Sequence, residues 1–157
     1  MNFGEAIGEC FFNYANFRDR AARAEYWWWA LFATVVLLIG IGLDYLVFRE
    51  WETGPFYLVL SLATFLPSLS VTIRRLHDTN RSGWWVMLPF GAMILFVVGL
   101  IAAVTIDPFN PFRGAGLVFI GLPTLLALAT TILLLVWMIF PSDQGNNRFG
   151  PNRYAGD

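Results

Sequence analysis

Four apolar stretches, each about as long as a bilayer is thick, take up most of this 157-residue chain. They run from Tyr26 to Phe48, Pro55 to Ile73, Trp84 to Ile106 and Ala115 to Phe140, each close to the ~20 residues that a ~30 Å hydrocarbon core requires. The fold expected from them is an all-α membrane protein, a four-helix transmembrane bundle preceded by an N-terminal amphipathic interfacial helix. Residues 1–25 then form an amphipathic cytoplasmic arm, 26–140 the four-span transmembrane domain and 141–157 a cytoplasmic tail.

Composition leads to the same class. Hydrophobic residues make up 57% of the chain and charged residues 13%, against roughly 25% charged in soluble domains. A core of this size could not hide that much apolar surface in water. The cations are all arginine, with no lysine. Arginine offers a planar fork suited to phosphate, but a genome-wide codon bias explains the missing lysine equally well. The single cysteine, Cys10, rules out an internal disulfide and a cysteine metal cluster.

The first 25 residues do not read as a secretory signal, because Glu5 and Glu9 come before the arginines. Phe3, Ile7, Phe11 and Tyr14 recur at steps of three and four, the spacing of one helix face. Such a helix can lie in the headgroup region or cap the ends of the spans.

Eight of the ten arginines fall on one side of the implied membrane: Arg18, Arg20 and Arg23 in the arm, Arg74, Arg75 and Arg81 in the second loop, and Arg148 and Arg153 in the tail. Short basic loops stay in the cytoplasm, so both termini are expected there. Trp27, Trp28, Trp29, Trp51, Tyr57, Trp84 and Trp85 stand where aromatic belts form.

The second span is the most polar, with Ser61, Thr64, Ser68, Ser70 and Thr72 around Pro67. A broken polar helix can line a substrate or ion path, whereas in a static bundle the same hydroxyls bond between helices. Asp44 is the one acid inside a span, and its place near Phe48 suggests that it reaches the outer interface. Glycine pairs such as Gly40 and Gly42, or Gly114 and Gly116, lack the four-residue spacing of the close-packing motif.

The most specific residues lie in three arginine-bearing segments. Arg20, Arg23, Glu25, Tyr26 and Trp27 open the first span. Arg74, Arg75, Leu76, His77 and Asp78 are followed by Arg81, Ser82, Gly83 and Trp84. Gly145, Asn147, Arg148, Phe149 and Gly150 lie in the tail. On these residues the chain resembles the DUF805 family of small bacterial inner-membrane proteins, over nearly its whole length. Two departures stand out: Asp19 replaces the usual Gly before the first Arg, and Phe149 replaces the usual Tyr. The resemblance implies a multi-pass protein of the bacterial plasma membrane and no particular activity.

Converging guanidinium groups point to anionic phospholipid headgroups or to a protein partner. The candidate binding residues are Arg20, Arg23, Arg74, Arg75, His77, Asp78, Arg81, Trp84 and Arg148. The competing reading is that these residues only fix topology and depth, with Asp78 pairing with Arg23, Arg74 or Arg148, and His77 bonding a backbone carbonyl. A Ser82, His77 and Asp78 nucleophile arrangement has no supporting motif, and one His with one Cys gives no metal-ligand spacing. No cofactor and no nucleic acid are expected, and the balance is against an enzyme. A structural or interaction protein is the leading function. A small transporter or channel subunit using the second span comes next, and a membrane enzyme acting on lipid phosphates last. Oligomeric state is not readable from the chain.

Overall fold

The computed structural model describes residues 1–48 and 54–151. Arg49, Glu50 and Trp51, where the first outer loop is expected, and Asn152, Arg153 and Tyr154 near the C-terminus lie outside them. Five α-helices run in order: α1 (Phe3–Phe12), α2 (Arg23–Phe48), α3 (Pro55–Asp78), α4 (Met87–Ile106) and α5 (Ala115–Ile139), with a 3₁₀ turn at Gly83–Val86. No strand occurs among the described residues. The last four helices are long and apolar enough to cross a membrane. They form two compact units, one of residues 1–83 with the segment from 140 onward, the other of residues 84–139.

In the first unit α1 begins with a reciprocal cap. The Asn2 side chain accepts the Glu5 amide at 2.9 Å, and the Glu5 carboxylate accepts the Asn2 amide at 2.8 Å, so two otherwise orphaned donors are satisfied. Ala6 and Cys10, four residues apart, form its buried line. Phe3 and Phe11 instead reach sideways to α2, edge-on to Trp28 and Trp29 at 5.5 and 5.3 Å between ring centroids. The helix ends before Tyr14, which leaves the expected stripe and joins the following turn.

Helices α2 and α3 run antiparallel. The Trp29 indole donates to Ser68 Oγ at 2.9 Å near one end, and further along a Cβ at Gly40 would lie 3.2 Å from the Tyr57 Cα. At the far end Asp44 accepts the backbone amides of Phe56 and Tyr57 at 2.9 and 2.8 Å. These are first-turn donors of α3 that have no partner within that helix. The cap residue, Gly54, has no side chain to serve them, and a Cβ there would collide with Asp44. Asp44 is 4% exposed, and it caps α3 from the neighbouring helix.

Pro67 has no amide proton, which frees the Ala63 carbonyl four residues back. The Tyr14 hydroxyl donates to that carbonyl at 2.7 Å. Ser70 Oγ lies 2.8 and 2.7 Å from the Asn13 and Asn16 carbonyls, so the α1–α2 turn is fastened to the middle of α3. The ends of α2 and α3 extend beyond the sequence expectation. Helix α2 begins at Arg23, and α3 continues to Asp78. The Arg74 to Asp78 segment is therefore the last turn of a helix and not a loop, and the chain reverses at Asn80, where φ is 57°.

In the second unit α4 and α5 pack through small residues. Gly99 and Ala103 are buried four residues apart, the close-packing spacing that the other glycine pairs lack. A Cβ at Gly99 would collide with the Phe119 carbonyl, the group that Pro123 leaves unbonded within α5. The close approach brings the Gly99 Cα–H to that oxygen. Gly116 stands as tightly against the Pro111 carbonyl and lies near Ala103. Trp85 and Trp137 meet edge to face at 5.1 Å.

A buried arginine and aspartate cap on helix α3

A helix leaves its last four carbonyls without partners of its own, and around the end of α3 three separate segments bond to carbonyls of its final turns. The Arg74 carbonyl accepts the Ala21 amide at 3.1 Å, the Leu76 carbonyl those of Thr79 and Arg81 at 3.2 and 2.9 Å, and the His77 carbonyl that of Asn80 at 3.0 Å. Asn147 of the tail adds its side-chain amide to the His77 carbonyl at 2.9 Å. The Asp78 carbonyl takes the Asp143 amide at 3.1 Å.

Two guanidinium groups and one carboxylate hold these segments in place. Arg20 donates through Nε to Asp78 Oδ1 at 2.9 Å, through Nη1 to the Gly145 carbonyl at 2.8 Å and through Nη2 to the Asp143 carbonyl. Arg75 pairs with Asp78 Oδ2 through Nη1 and donates through Nη2 to the Phe140 carbonyl. Arg75 and Asp78 are fully buried and Arg20 is 3% exposed. Two cations to one anion leave an excess positive charge, and the tail carbonyls together with the negative end of the α3 dipole neutralise it. A separate buried pair joins Arg74 to Glu25 at 2.7 Å. The second terminal nitrogen of Arg74 is buried without a hydrogen-bond partner among the described residues.

The His77 ring stacks on Phe149 with centroids 3.8 Å apart and planes 4° from parallel. The Arg148 guanidinium lies 4.7 Å from the same Phe149 ring and donates to the Asn80 carbonyl at 3.1 Å. The Nδ1 of His77 lies 3.3 Å from the Asp19 carbonyl. His77 and Asp78 thus face different partners, and the Asp78 carboxylate is committed to two guanidinium groups. Among the described residues no three His, Cys, Asp or Glu side chains gather in a way that could hold a metal ion.

Of the candidate residues, the cap brings together Arg20, Arg75, His77, Asp78 and Arg148. Arg74 stands beside it with Glu25. Arg81 is half-buried, with its guanidinium 5.6 Å from the Phe140 ring, while Arg23 and Arg148 are exposed. Trp84, 80% exposed, belongs to the second unit. The partners expected for Asp78 were Arg23, Arg74 or Arg148, and the actual ones are Arg20 and Arg75. The hydroxyls of the polar span serve nearby groups: Ser61, Thr64 and Thr72 donate to the Leu58, Leu60 and Ser68 carbonyls of their own helix, and Ser68 accepts from Trp29. Sequence reasoning did not single out Gly99, and it named Tyr14 and Asp44 without these roles. Each could have been found by asking which group answers an orphaned carbonyl or amide left by a proline or a helix end.

A helical, multi-pass membrane protein whose arginine motifs build a helix cap is the class that this fold and site define. The chain belongs to the DUF805 family, described as a protein of unknown function, which it matches over residues 14–151. Inner membrane protein YhaI of Escherichia coli strain K12 is 42% identical to it over 97 residues, spanning 57% of this chain and 74% of YhaI. Inner membrane protein YhaH of the same strain is 36% identical over 91 residues, spanning 55% of this chain and 75% of YhaH. The uncharacterized protein YiiR of that strain is 34% identical over 82 residues, 51% of this chain and 53% of YiiR. No solved structure matches the chain. Together with the four apolar helices, the inner-membrane relatives make this a multi-pass protein of the bacterial inner membrane.

Proposed function

We propose that the chain is a structural and interaction protein that places both termini and its arginine-bearing end in the cytoplasm and holds anionic phospholipid headgroups there. The observation that carries the reading is the division of labour among the arginines. Arg20, Arg74 and Arg75 are buried and occupied within the fold. Arg23 and Arg148 remain exposed beside them, Arg148 with one terminal nitrogen on the Asn80 carbonyl, on backbone that the cap fixes in place. An exposed guanidinium on rigid backbone at a membrane edge pairs well with phosphate.

Native mass spectrometry of the protein extracted in mild detergent tests this. The wild type should retain phosphatidylglycerol or cardiolipin above their share of the membrane, and an Arg23→Gln, Arg148→Gln variant should lose that enrichment. Lipid retained in the proportions of the extract by both proteins would overturn the reading and direct the search to a protein partner.

A further inference from the structure

The α1–α2 turn carries a second, unassigned feature of the same chemistry. Residues 12–18 enclose an open concavity of 620 Å³ walled by Phe12, Asn13, Tyr14, Asn16, Phe17 and Arg18. This is the size range of small-molecule sites, which combine apolar walls with a few fixed polar groups. The turn is rigid for a surface segment. Ser70 holds the Asn13 and Asn16 carbonyls, and Tyr14 is bonded to Ala63. The Arg18 amide is fixed by Asn16 Oδ1 at 3.1 Å.

The two carboxylates nearest in sequence accept hydrogen bonds from neighbouring amides. Glu9 accepts from the Asn13 side chain at 3.1 Å and Asp19 from the Asn16 side chain at 2.6 Å. The exposed Arg18 guanidinium, by contrast, has no ion pair or side-chain hydrogen bond among the described residues. At the end of α1, where the turn begins, Phe12 is 88% exposed and Phe11 48%, a large apolar surface for a segment beside membrane-crossing helices. A guanidinium lining the same concavity as an exposed aromatic ring matches a lipid, whose phosphate pairs with the cation and whose acyl chains lie against the ring.

We infer that this concavity is a phospholipid site, with Arg18 binding the phosphodiester of an anionic lipid and Phe12 lying against its acyl chains. The inference rests on the proposed lipid-binding function and adds to Arg23 and Arg148 a separate site on the α1–α2 turn. The source of the phosphate is a membrane lipid, because inorganic phosphate would gain nothing from the exposed phenylalanines.

The test is a titration of the delipidated, detergent-purified full chain with phosphatidylglycerol or phosphatidylethanolamine, read by native mass spectrometry. It covers the wild type, Arg18→Gln, Arg18→Lys and the Arg23→Gln, Arg148→Gln variant. Arg18→Gln should weaken the first phosphatidylglycerol by about tenfold, the scale of one charged hydrogen bond. Arg18→Lys should restore part of that affinity, and thermal stability should not change. Unchanged phosphatidylglycerol binding in Arg18→Gln, with loss in the Arg23 and Arg148 variant, would overturn this site while leaving the proposed function standing. Equal wild-type affinity for the two lipids would overturn both. Displacement of phosphatidylglycerol by inorganic phosphate at equal concentration would overturn the assignment to lipid.

Discussion

Asp78 offers two oxygens to two buried cations, and that arithmetic makes it the residue whose removal costs most. Asp78→Asn leaves Arg20 and Arg75 buried without a counter-charge, a class of change that destabilises by about 3–5 kcal/mol. Thermal unfolding in detergent should show a large fall for this variant and almost none for Arg113→Gln, which alters an exposed residue. Asp44 holds a similar but smaller place. Asp44→Ala removes the acceptor of two α3 amides and should cost about 1–2 kcal/mol, the range of a lost helix cap, in the same measurement. Cys10 provides a pH readout outside the spans. Burial, reinforced by the charge of Glu25, pushes its thiol up from 9.0 to about 12. The folded protein therefore holds that proton more tightly than the unfolded chain, and this contribution to stability is present below pH 9.0 and lost as the pH rises towards 12. Because the thiolate is the reactive form, maleimide labelling at neutral pH should be slow in the folded protein and fast once it is unfolded.

At the scale of elements, the helices follow from their apolar runs, and their ends follow from what answers the orphaned groups. Length and hydropathy alone sufficed to read the four spans, because a bilayer-long apolar run has few alternatives. The extension of α3 through Arg74 to Asp78 was not legible. Charged residues there look like a loop until their partners are known, and Asp78 and Arg75 have partners 58, 65 and 67 residues away in the chain. Proline positions carried more information than their helix-breaking reputation suggests. Pro67 and Pro123 each free one carbonyl, and Tyr14 and Gly99 meet those two oxygens. Tyr14→Phe should cost about 1 kcal/mol for the lost hydrogen bond. Gly99→Leu should separate α4 from α5 and lower the melting temperature more than Gly91→Leu, because a Cβ at Gly91 meets nothing within 4 Å.

Over the whole molecule, the sequence signature and the arginine bias have one physical origin. The arm, the end of α3 and the tail meet at a single cap, so three motifs far apart in the chain describe one structure. The family pattern was legible, as was the convergence of the three segments, but which arginines would be buried and which exposed was not. Side-chain identity does not distinguish a guanidinium that binds carbonyls inside the fold from one left at the surface. The proposed orientation predicts that green fluorescent protein fused to the C-terminus fluoresces and that alkaline phosphatase fused there is inactive; the reverse pattern would invert the topology. The cap itself is tested most directly by hydrogen exchange, read by mass spectrometry, on the wild type and an Arg20→Gln variant. Arg20 holds the Asp143 and Gly145 carbonyls, so amides of residues 141–151 should lose protection in the variant while those of α5 keep theirs. Unchanged protection of that tail would contradict a cap built on Arg20 and Asp78.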